Sequence, residues 1–333
     1  MSSTTLFLLV TLLGFGITAL LGKVMIPFLH KLHFGQTIRE VGPSWHKGKQ
    51  GTPTMGGLMF IIGITVAVCA CLPVFYTIGM TETVLMKTRV FAGLCMAVAF
   101  GVIGFMDDYI SVVKKRNLGL TELQKLVLQF LVASAYLASL AFSGEDTVTA
   151  IPFVGKIDLG YAYYVLAAIV IVGLTNAVNF TDGIDGLNST VSFFVFLSLA
   201  LCAGIANISG ISAMGLASAA ACIGFLVWNF NPARVFMGDT GSLFLGGMVA
   251  ALAFGLDMPI LLLPVGLVYW MEILSVVLQV TYFKLTHGKR IFKMSPIHHH
   301  FEMCGWSEVR ICVVFGLTAL VCGIVTVLCV RFG

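Results

Sequence analysis

Charged side chains are scarce in this sequence of 333 residues. Only 10% of the residues are Asp, Glu, Lys or Arg and 59% are hydrophobic, whereas an ordinary soluble domain carries about 25% charged residues. So few charges cannot cover a soluble surface, and the net charge of +4 does not suggest a nucleic-acid partner. The composition therefore predicts a polytopic integral membrane protein.

Paired cysteine motifs, internal repeats and low-complexity linkers are also missing. The nine cysteines lie mostly within apolar runs and none forms a C-x-x-C pair, so we interpret them as small buried hydrophobic residues, not as disulfides or zinc ligands. Without repeats or linkers, we predict one domain over residues 1–333. No small-residue cleavage site follows the first apolar run, which we expect to remain as a membrane span.

Long apolar runs are the feature that is abundant. A membrane-spanning helix needs about 17 to 25 such residues, and the runs predict an all-α fold with about ten transmembrane helices. They lie near 5–29, 55–76, 91–106, 124–142, 162–178, 189–206, 213–228, 241–256, 259–283 and 309–331.

Basic residues are distributed unevenly between alternate loops of this arrangement. Thirteen fall on one side and only Lys87, Arg89 and Lys156 on the other. The positive-inside rule then places the basic side in the cytoplasm and both termini outside. The thirteen are Lys31, Arg39, Lys47, Lys49, Lys114, Lys115, Arg116, Lys125, Arg234, Lys284, Lys289, Arg290 and Lys293.

Most acids that adjoin the apolar runs fall on the same side as the basic loops. Because a charged group is costly at the bilayer centre, we expect these acids to line a hydrated cleft at the cytoplasmic interface. Five acids together would repel a phosphate group unless a divalent cation were present, which predicts Mg²⁺. They are Asp107, Asp108, Asp182, Asp185 and Asp239.

Two acidic motifs are candidates for this cleft. Asp107 and Asp108 end an apolar run, and adjacent helical residues point about 100° apart, so each acid can face a different ligand; the alternative is a helix end at the water interface. In the segment 176–188, polar side chains recur every third residue and glycines permit close approach of a ligand. The alternative there is a loop of Asx turns. Its spaced residues are Asn176, Asn179, Asp182 and Asp185.

Basic and glycine-rich residues occupy the segment 47–57, which precedes the second run. It resembles a phosphate-binding loop in composition but lacks the Walker pattern G-x-x-x-x-G-K-[ST], so a flexible surface loop is the alternative. Lys125, at the start of the fourth run, is better placed to meet a phosphate than Lys114, Lys115 and Arg116, for which the positive-inside preference is the alternative explanation.

Two further polar segments complete the pattern. In 229–242, Asp239 precedes the eighth run, where free backbone N–H groups can bind anions or orient a metal; a helix cap is the alternative. In 295–302, three successive histidines can carry protons or bind phosphate, whereas zinc ligands are normally separated in sequence. Glu272 lies well inside a span, so it is either functional or paired within the bundle.

Together, these segments resemble the polyprenyl-phosphate N-acetylhexosamine-1-phosphate transferase superfamily across the whole chain. Phe105-Met-Asp-Asp108 and the Asp182/Asp185 segment look like the superfamily, and Pro296-Ile-His-His-His-Phe-Glu302 looks like its muramoyl-pentapeptide branch. The resemblance implies a multi-pass enzyme of the bacterial cell membrane that forms undecaprenyl-diphospho-MurNAc-pentapeptide and UMP. Its substrates would be UDP-MurNAc-pentapeptide and undecaprenyl phosphate, its cofactor Mg²⁺ and its assembly a homodimer.

The resemblance also implies roles for individual residues. Asp239 matches the magnesium ligand, Asp107 or Asp108 the acid that activates the lipid phosphate, and His299 a catalytic position. An N-acetylglucosamine-1-phosphate transferase is the alternative within the superfamily, and an ion-coupled transporter the alternative outside it. The positions that match substrate-binding residues are Lys49, Lys125, Asn179, Asp182, Gly183, Asp185, Asn229, Phe236, His298 and His300.

Overall fold

Helices dominate the computed structural model, which describes residues 3–32, 49, 51–77, 83–113 and 119–333. Each of the ten predicted runs coincides with a helix or, at the ninth, with a bent pair of helices. The helices are α1 Ser3–Lys31, α2 Gly57–Thr77, α3 Val84–Val113, α4 Glu122–Phe142, α5 Ala162–Phe180, α6 Leu187–Ile205, α7 Ser209–Asn229, α8 Gly238–Gly255, α9 Leu262–Val265, α10 Leu267–Leu285, α11 Ile297–Met303 and α12 Glu308–Phe332.

The described residues support several membrane-spanning helices but do not confirm the predicted number of ten. Within the described part of the chain, seven are long and apolar enough, or eight if the bent pair counts as one span. Two other predicted spans are helical as well: α8, and α2 with its shorter apolar stretch Gly57–Cys71. A polytopic membrane protein is therefore indicated, while ten spans and outside termini remain predictions.

The ninth predicted span is not one continuous helix. A 3₁₀ turn, Pro259–Leu261, and α9 are followed at Gly266 by a bend of 78° into α10. The Trp270 indole N–H donates to the carbonyl of Leu262 at 2.8 Å and stabilises the bend. A side chain at Gly266 would collide with the same carbonyl, since a Cβ there would lie 2.6 Å from it. The expectation of a single straight helix was wrong.

A small β-hairpin corrects the expectation of a purely helical fold. Strands β1 Val148–Ile151 and β2 Gly155–Asp158 pair antiparallel. β-branched residues favour the extended strands, and Phe153 and Gly155 adopt positive φ in the turn. The Ala150 N–H donates to the carbonyl of Asp257 at 3.2 Å, so the hairpin is attached to the turn that follows α8.

Close helix packing around α8 positions the polar end of the fold. A Cβ at Gly104 of α3 would lie 2.1 Å from the carbonyl of Asp239, and one at Gly57 of α2 would lie 2.3 Å from the Cα of Gly241. Glycines therefore allow both helices to approach the first turn of α8. This brings the end of α3, with its two acids, to the N-terminus of α8.

Candidate active site

The two adjacent acids of α3 face different partners, as the helical geometry predicts. Asp107 accepts a hydrogen bond from the Leu120 N–H at 2.7 Å, and its other oxygen lies 3.2 Å from the Lys125 ammonium. Asp108 turns toward α8 instead. Only Asp107 of the pair therefore faces the cation supplied by α4.

Asp108 caps the N-terminus of α8 from a neighbouring helix. Its carboxylate accepts from the N–H groups of Asp239 at 3.2 Å and Thr240 at 2.9 Å, and from the Thr240 hydroxyl at 2.6 Å. Neither Asp239 nor Thr240 caps α8 through its own side chain, because the capping residue position is Met237. Asp108 thus fixes the backbone that carries Asp239.

Asp239 lies at the centre of a group that we call the Asp239 cluster. Lys125 forms an ion pair with its carboxylate, and the Asn179 amide donates to it at 3.0 Å and to the Ser242 hydroxyl at 2.7 Å. Lys125 therefore bridges two carboxylates from two different helices. The cluster comprises Asp107, Asp108, Lys125, Asn179 and Asp239.

A second ion-pair network holds Lys49. Its ammonium lies 2.7 Å from Asp185 and 2.6 Å from Glu308. Burial alone would lower the pKa of Lys49, but the hydrogen bonds to both carboxylates outweigh it and raise the pKa above its ordinary value. Asp185 is also anchored by the Ala233 N–H at 2.9 Å and the Asn231 amide at 3.2 Å. Asp185 is therefore fully occupied by protein partners.

Asp182 differs from the other acids because its carboxylate has no hydrogen-bond partner among the described residues. Burial, reinforced by the nearby Asp239, Asp108 and Asp185 carboxylates, raises the pKa of Asp182 well above its usual range. A cation bound beside these acids would lower that pKa by attraction. Asp182 is thus the acid most open to a ligand.

The prediction that Asn176 joins one converging polar face was wrong. Its amide donates to the Gln129 side chain of α4 at 2.7 Å. The spacing of three residues describes one face only while the chain is helical, and α5 ends at Phe180. Asp182 and Asp185 lie beyond that end, where the chain turns.

The three histidines have three different hydrogen-bond partners, although the rings of His298 and His299 lie 4.1 Å apart. His298 is buried beside Glu272, with Nδ1 3.0 Å from the carboxylate, and His299 Nδ1 lies 2.5 Å from Glu302. His300 accepts from the Lys293 N–H at 3.2 Å. No group of three or more potential metal ligands of the Cys, His, Asp or Glu type occurs in the part of the chain that can be described.

Two other predicted site residues, Asn229 and Phe236, form hydrogen bonds with the backbone of neighbouring loops. Asn229 is buried, accepts from the Gly186 N–H at 3.2 Å and donates to the Val235 carbonyl at 2.9 Å. The Phe236 N–H and carbonyl pair with the segment 53–56. These contacts join the loops of the site to each other. Lys47, Lys114, Lys115 and Arg116 lie outside the described residues.

An open cleft of about 410 Å³ adjoins the Lys49 network. Asn231, Glu302, Trp306 and Glu308 contribute to its lining. Glu308 and Trp306 were not predicted as site residues. Glu308 pairs with a lysine 259 positions earlier, a contact that only the tertiary fold brings about.

Comparison with known proteins places this arrangement in a family. Residues 90–257 match the model of glycosyl transferase family 4, and residues 49–61 match signature 1 of the phospho-N-acetylmuramoyl-pentapeptide-transferases. Phospho-N-acetylmuramoyl-pentapeptide-transferases of Bacillus pumilus and Bacillus subtilis are each 46% identical over 94% of this chain and 95% of their own length. The transferase of Halalkalibacterium halodurans is 46% identical over 94% of both chains.

The chain belongs to the phospho-N-acetylmuramoyl-pentapeptide-transferase family. The matched regions of this family contain the candidate site: the signature begins at Lys49, and the glycosyl transferase match includes all members of the Asp239 cluster. The histidines and Glu308 lie beyond both matches. The likeness of the complete transferases nevertheless extends over these residues, because it covers 94% of the chain.

Proposed function

We propose that this chain transfers phospho-MurNAc-pentapeptide from UDP-MurNAc-pentapeptide to undecaprenyl phosphate and releases UMP. Family membership supports the reaction, since the curated relatives carry the transferase name over nearly their whole length. The product would be undecaprenyl-diphospho-MurNAc-pentapeptide, the first membrane-bound intermediate of peptidoglycan synthesis. We place the enzyme in the bacterial cell membrane, with the Asp239 cluster facing the cytoplasm.

The observation that carries this proposal is the bridging position of Lys125. A cationic group already lies between Asp107 and Asp239, so these carboxylates fit a cation of higher charge. Mg²⁺ is typically held by one or two carboxylates plus substrate phosphates and water, and the donor set here is of that kind. Asp239 and Asp107 would hold the ion, which would supply Lewis-acid stabilisation of the phosphate charge that develops.

The protein residues would bind and align the two phosphates. A lipid-phosphate oxygen attacks the β-phosphorus of the nucleotide, a new P–O bond forms, and the bond to the bridging oxygen breaks as UMP departs with the electron pair. An ordinary phosphate ester has a second pKa near 6, so the attacking group needs little help from a base. The main contribution of Asp107 and Lys125 is then alignment and charge, which can supply much of the rate enhancement.

Lys125 would change partners during this cycle. With a divalent ion held by Asp107 and Asp239, the Lys125 ammonium would be free to contact a phosphate oxygen. Asp108 would keep the first turn of α8 in place through its three hydrogen bonds. We thus assign binding roles to Lys125 and Asp239 and a positioning role to Asp108.

The proposal is tested by UMP release from purified protein given undecaprenyl phosphate and UDP-MurNAc-pentapeptide, with Mg²⁺ or with a chelator. We expect release only when both substrates and the metal are present. A parallel reaction with UDP-GlcNAc tests the alternative sugar specificity. Release from UDP-GlcNAc alone, or release that persists in the chelator, would overturn the corresponding part of the proposal.

A further inference from the structure

A buried acid and histidine form a pair that the mechanism above does not use. Glu272 of α10 and His298 of α11 have no exposed side-chain surface. The carboxylate accepts from His298 Nδ1 at 3.0 Å, and the His298 N–H lies 3.5 Å from the same oxygen. One carboxylate thus holds both the ring and the first turn of α11.

The other edge of the imidazole lies against the turn that carries two of the predicted site acids. A Cβ at Gly183 would lie 2.1 Å from His298 Nε2 and 2.6 Å from Cε1. Gly183 is not among the residues with positive φ, so its backbone does not require glycine. The absence of a side chain at 183 is therefore explained by the approach of the histidine ring.

Two atoms of the pair lack partners. His298 Nε2 and Glu272 Oε1 are buried and have no hydrogen bond within the described chain. An unsatisfied buried polar atom costs about 1–3 kcal/mol, so natural proteins retain few of them and each one calls for an explanation. The unpaired Nε2 atom is directed at Gly183, in the turn that carries Asp182 and Asp185.

Glu272 determines the tautomer and the orientation of the His298 ring. The carboxylate that accepts from Nδ1 selects the tautomer with hydrogen on Nδ1, and Nε2 of that tautomer is an acceptor. The carboxylate also prevents the ring from rotating away. Glu272 therefore orients the His298 ring, which packs against the turn 182–185. Glu272 itself does not contact that turn.

We propose that Glu272 is a positioning residue for the sugar nucleotide. It acts through His298, whose ring supports the turn 182–185 that would bind the nucleotide-sugar substrate. This inference rests on the proposed function, because it takes the substrate to be UDP-MurNAc-pentapeptide. The lipid phosphate is not involved, so its binding is independent of Glu272.

The first test compares Glu272→Leu and Glu272→Gln in steady-state assays that vary each substrate separately. We expect Glu272→Leu to raise KM for the nucleotide about 10- to 100-fold, the effect of losing a hydrogen bond to a charged group, with little change in KM for the lipid. Glu272→Gln keeps an acceptor for Nδ1–H and should stay within about threefold of wild type. Ser275→Ala, on the same face of α10, is the matched control.

A purely structural role would lower the thermal unfolding temperature without a selective change in the nucleotide KM, and that result would overturn the proposal. Additivity provides the second criterion: in a His298→Ala background, Glu272→Leu should have almost no further effect on KM. If the two effects simply multiply, Glu272 does not act through His298.

Gly183→Ala offers an independent test if Glu272→Leu fails to fold. The new methyl group would displace the ring or the turn, so we expect a raised nucleotide KM that falls again when His298→Ala provides space. An unchanged KM would contradict the proposal. Wild-type protein is assayed in parallel: absence of turnover there would refute the proposed function, whereas normal turnover with unaffected variants would refute only the role of Glu272.

Discussion

Helices α3 and α8 carry a charge cluster at each end, and the two clusters differ in how completely their charges are paired. At one end, which we call the Arg89 cluster, Arg89 pairs with Glu145 at 2.7 Å and approaches Asp257 at 3.9 Å. It also donates to the Gly255 carbonyl. At the other end is the Asp239 cluster, with three carboxylates and one ammonium.

The balance of charge separates a structural cluster from a binding site. The Arg89 guanidinium and Glu145 are both almost fully buried and occupy each other, so neither of these two charges is left for a ligand. In the Asp239 cluster, Lys125 is shared between two carboxylates, and Asp182 close by has no partner within the described residues. Excess negative charge that is held in place by hydrogen bonds is suited to a cation.

The largest effect is expected from Asp239→Ala. This change removes the carboxylate that we assign to the metal, and we expect UMP release to fall by about 10³-fold or more, since a Lewis-acid contribution is worth several kcal/mol. The control is Asp257→Asn, because Asp257 lies just beyond the opposite end of α8. We expect the turnover of this variant to stay within about threefold of wild type. Substantial turnover by Asp239→Ala at saturating Mg²⁺ would refute the metal assignment.

Arg89→Met should affect stability instead of turnover. It leaves Glu145 buried without its cation, and breaking such a pair from one side costs about 3–5 kcal/mol. We expect a lower thermal unfolding temperature but unchanged KM values below it. The double variant Arg89→Met/Glu145→Gln should recover most of the loss. A selective change in KM with unchanged stability would show that the Arg89 cluster is not merely structural.

Asp108→Ala should moderately lower both the turnover and the stability of the fold. The N–H groups of Asp239 and Thr240 would lose their acceptor, at about 1–3 kcal/mol of folding free energy, and turnover should fall about 10- to 100-fold because Asp239 is no longer fixed. Asp108→Asn retains one acceptor and should lie between this variant and wild type. Thermal unfolding and UMP release are measured together; a loss of turnover in Asp108→Ala as complete as in Asp239→Ala would indicate direct participation in the reaction.

Sequence patterns predicted the helices better than they predicted the contacts between the candidate side chains. The divergence of Asp107 and Asp108 follows from helix geometry alone, and an isolated acid such as Glu272 signals a partner within the bundle. The identity of that partner, His298, depends on a loop that folds back over α10. Asp108 as a cap for α8 likewise depends on how two helices pack.

The same limit explains the errors at the ends of helices. Arg89 was assigned to an outward loop because charge usually marks a boundary, yet it lies buried within α3, where Glu145 compensates it. Pro264 and Gly266 interrupt the ninth apolar run. A prediction from hydrophobicity alone ignores these two residues and therefore misses the bend. Composition thus predicts which segments enter the membrane, whereas charge compensation and backbone geometry decide their exact course.

The smallest effect concerns the pH dependence of the Arg89 cluster. Burial raises the pKa of Asp257 to about 6 from an ordinary 3.8; Glu145 and Asp146 add to the rise, while Arg89 and Lys156 oppose it. The folded state therefore holds this proton more tightly than the unfolded state, and the stabilisation is complete below pH 4 and lost as the pH rises through 6. Because the carboxyl is partly exposed, we expect this pH-dependent part of the free energy of unfolding to be about 1–2 kcal/mol.

Asp257→Asn should remove this dependence, so the stability advantage of wild type over the variant should shrink between pH 4 and pH 7 in thermal unfolding. An advantage that grows with pH would mean that Asp257 serves Arg89 as a permanent anion, and it would contradict the raised pKa.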